Sequence, residues 1–143
     1  MPRPVNALIV DDEPHVIVLL SAILKQLGVS TIWSAADGPS AVEQAAARKP
    51  QVVLLDLNLP QVDGLQVLAK LKSDFPKMPI IIVSAQSTLR TFERTRDLGA
   101  QAYVLKYGAK SDVTKQLSDA FDRIADLVAD GSNEDGEKSA SPA

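Results

Sequence analysis

The chain has 143 residues, 45% of them hydrophobic, with no cysteine and a formal net charge of −3. That length suits one domain with a single core, the lack of cysteine excludes a disulfide framework, and the mild acidity excludes the basic footprint of a nucleic-acid-binding surface. No apolar run approaches the ~18 residues of a membrane span and no basic-then-apolar leader precedes the first strand, so a cytoplasmic protein with no membrane contact is expected.

The first predicted element is Ala7-Leu8-Ile9-Val10, an apolar run too short for a helix and without polar alternation, as in strands buried on both faces. It stops at Asp11 and Asp12. Pro14 to Leu27 follows with helical length and apolar steps of three and four; Pro14 suits its first turn and Gly28 a left-handed cap. Ile17, Leu20, Leu24 and Leu27 make the stripe expected to face the sheet, which leaves Val16, Val18, Leu19, Ala22 and Ile23 over. Either Val16 and Ile23 flank that stripe, or Val18, Leu19 and Ala22 belong to an exposed patch.

Ser30 to Ala35 reads as a strand and Pro39 to Arg48 as a helix. Val52 to Leu55 is a second buried strand, stopping at Asp56, with a helix from Gly64 to Ser73. Ile80 to Val83 stops at Ser84 and precedes a helix from Thr88 to Leu98, closed by Gly99. Ala102 to Leu105 stops at Lys106, and Ser111 to Val128 reads as one last helix. This alternation predicts an α/β domain, a doubly wound five-stranded parallel sheet with helices on both faces and right-handed crossovers. Gly131 to Ala143 holds three acids, one base and nothing large and apolar, and is expected to be a disordered tail behind a domain of residues 1–130.

If the apolar runs are neighbouring parallel strands, their polar ends converge on the edge where open α/β sheets bind ligands. Asp11, Asp12 and Asp56 would repel one another in low dielectric unless a cation or a proton relieved them. Magnesium suits such a set, since it takes oxygen ligands from one or two carboxylates and from phosphate. Each residue also has a plainer reading. Asp11 to Glu13 can open a helix at its positive dipole end, Asp56 can make an Asx turn, Ser84 or Ser87 can cap the next helix, and Lys106 can be solvated.

The segment Asp56-Leu57-Asn58-Leu59-Pro60-Gln61-Val62-Asp63-Gly64 resembles, residue by residue, the phosphoacceptor loop of response-regulator receiver domains. Asp11-Asp12, Ser84 and Lys106 fall where that family places its acid pair, its hydroxyl residue and its lysine, and the likeness spans about residues 5–128. The resemblance implies a flavodoxin-like receiver fold, in the manner of single-domain chemotaxis regulators of two-component systems. Asp56 would be the nucleophile taking a phosphoryl group from a histidine kinase or histidine phosphotransfer protein. Asp12 and Asp56 would ligate Mg2+ directly, Asp11 mainly through water and Asn58 through its backbone carbonyl. Lys106 and Ser84 would hold phosphoryl oxygens, and Tyr103, coupled to Ser84, would be the switch aromatic. Its output would be contact with a downstream protein, or passage of the phosphoryl group along a relay, and its chemistry would be directed only at itself.

The family usually follows its lysine with a proline whose peptide bond is cis, whereas here Tyr107 follows Lys106. A cis bond before a non-proline residue costs ~3–4 kcal/mol, so the loop is expected to be trans along a shifted path or strained, with Gly108 absorbing the difference. His15 reads as a solvated first-turn residue and Trp33 as a packing residue. A flavin carrier needs a neutral, glycine-rich phosphate loop where Asp11-Asp12-Glu13 stands. A dehalogenase-type phosphatase needs a second acid where Asn58 stands, and a non-phosphorylated binding module on this fold tends to lose one of the groups kept here.

Overall fold

The structure, a computed structural model, describes residues 3–86 and 88–131. Ser87, one candidate helix cap, and residues 132–143 of the expected tail lie outside the described residues. The chain runs β1 (Asn6–Val10), α1 (Pro14–Gln26), β2 (Thr31–Ala35), α2 (Gly38–Arg48), β3 (Val53–Leu55) and α3 (Gly64–Asp74). It continues through β4 (Ile80–Ser84), α4 (Leu89–Asp97), β5 (Ala102–Leu105), α5 (Lys110–Arg123) and α6 (Ala125–Gly131). All strand pairings are parallel, in the order β2-β1-β3-β4-β5. No helix among the described residues is long and apolar enough to cross a membrane.

Both sheet faces are buried, which explains why the strand sequences do not alternate. Ala7, Ile9, Leu54, Ile81 and Val83 point into one cluster with α1 and α5, while Leu8, Val10, Val53, Leu55, Ile80 and Ile82 point into another with α2 and α3. Successive side chains of one strand thus feed two cores. Asp37, Asp63 and Thr88 cap α2, α3 and α4 through their side chains, and Gly28 and Gly99 take positive φ just beyond α1 and α4.

Two expectations about helices are corrected. The last helix is broken: Ile124 interrupts it with φ −94° and ψ 4°, and the bend turns Ile124, Ala125 and Val128 into the core. Apolar spacing runs unbroken through the bend, so periodicity could not reveal it; α6 ends on Gly131, the first residue of the span expected to be tail. The buried stripe of α1 is Val16, Leu20, Ile23 and Leu24, with Ile17 and Leu27 half-buried at its side. The expected and observed stripes share Leu20 and Leu24 and differ by a small helix rotation. With apolar residues on both flanks, periodicity leaves that rotation open, and the buried residues join the cluster that holds Ala7 and Ile9.

Val18, at 69% exposure, faces solvent. Ile23→Ala should therefore cost about 2–5 kcal/mol, while Val18→Ser should stay within about 0.5 kcal/mol of the parent protein. Urea unfolding checks this, and equal losses would contradict the observed stripe.

Candidate functional site

The register of the sheet builds the site. Val10 pairs with Leu55, and the Asp56 N–H donates to the Val10 carbonyl at 2.9 Å while the Asp11 N–H donates to Ala35 at 3.0 Å. The residues following β1 and β3 are thereby held side by side at the centre of the sheet's carboxyl edge. Ser84 pairs with Leu105, and the Lys106 N–H donates to the Ser84 carbonyl at 2.8 Å.

The four apolar runs do converge. Lys106 Nζ lies 3.0 Å from Asp56 Oδ2 and 3.0 Å from Asp11 Oδ2, and all three side chains are almost wholly removed from water. Asp12 stands on the exposed rim, yet one carboxylate oxygen from each of Asp11, Asp12 and Asp56 lies within 4.8 Å of the others. Asp11 Oδ1 accepts from the Glu13 N–H at 2.9 Å, whereas the buried Oδ2 has only its ion pair with Lys106 and no directed hydrogen bond. Three carboxylates, one of them carrying a buried oxygen without a hydrogen bond, fit a divalent cation of the magnesium class.

Burial penalises the Asp11 carboxylate more than the Glu13 N–H and Lys106 relieve it, with the Asp56 charge adding repulsion, so its pKa is raised above the ordinary 3.8. Burial acts downward on the Lys106 ammonium as well, but its close pairing with the Asp11 and Asp56 carboxylates outweighs that and holds its pKa above the usual lysine range. The upward direction keeps Lys106 charged at neutral pH.

The other candidates take defined places. Asn58, exposed, donates its N–H to Asp56 Oδ1 at 3.1 Å and closes an Asx turn. Its Oδ1 accepts from Gln86 Nε2 at 3.2 Å. Ser84 is fully buried, and its hydroxyl oxygen accepts from the Gln86 N–H at 3.1 Å. The cap of α4 is Thr88, not Ser84. Tyr103 is half-buried and its hydroxyl donates to the Gln86 carbonyl at 2.7 Å, with its ring 6.0 Å from that of Phe92. His15 is largely exposed, 3.4 Å from Glu13, and Trp33 packs on the α2 side of the sheet beneath Arg48.

Gly64 is placed by necessity, since a Cβ there would lie 2.4 Å from the Leu57 backbone. The described residues contain no cis peptide bond, so the Lys106-Tyr107 bond is trans, and Gly108 takes φ +152°. Two groups escaped the sequence reading. Gln86 joins Ser84, Asn58 and Tyr103, and Tyr107 donates its hydroxyl to Glu13 Oε1 at 2.8 Å. That bond is the main cause holding the Glu13 carboxyl below its ordinary pKa. The only advance signal was the tyrosine standing where the family has proline.

Residues 7–118 match the family model of the response regulator receiver domain. The chain belongs to that family. Among its relatives, the transcriptional regulatory protein PdtaR of Mycobacterium tuberculosis is 32% identical over 126 residues, covering 88% of this chain and 61% of the relative. The probable transcriptional regulatory protein TcrX of the same organism is 36% identical over 115 residues, 80% of this chain and 49% of the relative. This receiver thus spans about half to about three-fifths of those relatives' length. The solved structure of NtrX from Brucella abortus superposes with a TM-score of 0.74 at 27% identity, covering 85% of this chain and 27% of that one.

Because the Asp11 pKa is raised by folding, the stability it contributes is full below pH 3.8 and is lost as pH rises through the raised value. At neutral pH its charge opposes the fold. Asp11→Asn should then raise the melting temperature by roughly 2–5 °C in chelator-treated protein, and thermal unfolding at neutral pH checks the sign; a lower melting temperature would show that Lys106 needs both acids.

Proposed function

We propose that this receiver accepts a phosphoryl group on Asp56 from a histidine kinase or a histidine phosphotransfer protein, and signals by contact with a downstream protein. The observation that carries the proposal is the Lys106 ammonium, 3.0 Å from Asp56 in a buried acid pocket. Phosphoryl transfer is catalysed mainly by positioning and charge stabilisation, so fixed positive charge beside an accepting oxygen is the main requirement. Asp56 attacks phosphorus with one carboxylate oxygen, the bond to the donor's histidine nitrogen breaks, and that nitrogen keeps the electron pair. Lys106 follows the new charge onto a phosphoryl oxygen, and the Ser84 hydroxyl leaves its turn to donate to another.

Asp12 and Asp56 would hold Mg2+ directly, Asp11 mainly through water and Asn58 through its carbonyl. The ion supplies neutralisation of the phosphoryl oxygens. Tyr103 would act as the switch partner of Ser84, to which it is already tied through Gln86. Incubation with acetyl phosphate and magnesium chloride should add one phosphate by intact mass, and Asp56→Asn should abolish the gain. No uptake by the parent protein would sink the assignment.

The same reading places the donor on α1. Val18 and Ala22 are exposed and Leu19 half-buried, an apolar patch suited to a helical, histidine-bearing partner laid across the site. In Val18→Ser/Leu19→Ser protein, phosphorylation by acetyl phosphate should persist, while transfer from the histidine donor slows about tenfold, on the order of 1.4 kcal/mol of docking. Leu19 also packs against the core, so equal slowing with both donors, or an unfolded double variant, would remove α1 from the docking surface.

A further inference from the structure

Tyr107 and Glu13 have no task in the phosphoryl chemistry proposed for Asp56, yet they meet each other beside the ammonium that pairs with it. Glu13 follows β1 and Tyr107 follows β5, and the hydroxyl of one meets the carboxylate of the other across 94 positions of sequence. The Tyr107 ring centroid lies 5.6 Å from Lys106 Nζ, and the same Glu13 oxygen lies 3.6 Å from Nζ. One side of the ammonium is therefore roofed by a ring and a carboxylate, while its other side meets Asp11 and Asp56. Asp56, paired with the same ammonium, is 1% exposed. Burial does not hold Tyr107 in place, because the residue is 57% exposed; its hydroxyl bond and its contact with the ammonium do. Gly108, at φ +152°, turns the chain directly after it in a conformation open to glycine.

We propose that Tyr107 and Glu13 form a strap over the Lys106 side of the mouth that restricts phosphoryl traffic at Asp56 in both directions. This rests on Asp56 being the phosphoacceptor. On entry from acetyl phosphate, an Asp56 oxygen bonds to phosphorus while the bond from phosphorus to the acetyl oxygen breaks, and acetate leaves with the electron pair. On loss, a water oxygen bonds to phosphorus, Asp56 recovers its electron pair, and inorganic phosphate departs while a proton passes to solvent. Both displacements are in line, so leaving acetate and entering water use the same side of phosphorus, opposite Asp56. Both also need a phosphoryl oxygen seated against the Lys106 ammonium, which the ring and the Glu13 carboxylate cover on one side, so the strap slows both.

Tyr107→Phe removes only the hydroxyl, leaving the ring and every charge. With acetyl phosphate and magnesium chloride, both phosphate uptake and phosphate loss should quicken about two- to tenfold, the rate equivalent of one hydrogen bond. Adding Glu13→Ala to Tyr107→Phe should not quicken the loss further. Unchanged rates, or a change in one direction only, would overturn the strap. A further rise in the double variant would overturn it too, assigning the effect to the Glu13 charge. Amide hydrogen exchange at residues 107–109 of the unphosphorylated protein gives an independent reading: it should quicken in Tyr107→Phe, and unchanged exchange would show that no strap exists. If the parent protein takes up no phosphate, the assignment of Asp56 fails by itself, and exchange alone then decides whether the contact closes the loop.

Discussion

The ammonium of Lys106, held 3.0 Å from both Asp11 and Asp56, is the contact that the rest of the site is arranged around. Two buried acids and one base meet where water is largely excluded, with Asp12 at the exposed rim, and such a cluster is tolerated only because the charges offset one another. Removing one partner from a buried pair costs about 3–5 kcal/mol, since it strands the other charge. Here the acids outnumber the base, so Asp11 is left with a raised pKa and a buried oxygen lacking a hydrogen bond. That excess of acid is what an added cation relieves.

That arrangement follows from the parallel sheet. Parallel strands all end on the same edge, and a register of Val10 opposite Leu55 delivers Asp11 and Asp56 as immediate neighbours. Burial of both sheet faces leaves the strands no freedom to slip, because a one-residue shift would send each side chain into the wrong core. Precision at the edge is thus inherited from Leu8, Ile9, Leu54 and Ile81, none of which touches the chemistry. Gly64 extends the same control into the loop after Asp56, where only a missing side chain allows α3 to start against the Leu57 backbone.

Much of this was legible in the residues. Unbroken apolar runs declared strands buried on both faces, and the polar residue ending each run marked the site; Asp56, Ser84 and Lys106 all lie where those signals put them. The break at Ile124 was not legible, because the apolar spacing continues through it and only the demand of the core for Ile124 and Val128 bends the chain. Nor was the rotation of α1, where Val16 and Ile17 are equally apolar. Contacts between distant loops were hidden for a different reason. Nothing local to Glu13 or Tyr107 says that residues 94 positions apart will share a hydrogen bond, since that depends on β1 and β5 opening onto the same edge.

Gln86 shows how the site reaches outward. Its N–H meets the Ser84 hydroxyl, its carbonyl accepts from Tyr103, and its side chain joins Asn58 to Thr91 on α4. If Ser84 turns its hydroxyl towards Asp56, it gives up the Gln86 N–H, and one peptide unit then loosens its hold on Tyr103 and on the start of α4. The helix beyond is lightly anchored, for Thr95 is its sole buried residue and Leu89 and Phe92 stand exposed on it. Elements with few buried contacts open at low free energy. A small displacement at Ser84 is therefore better placed to shift α4 than any of the helices whose stripes are locked into the two cores.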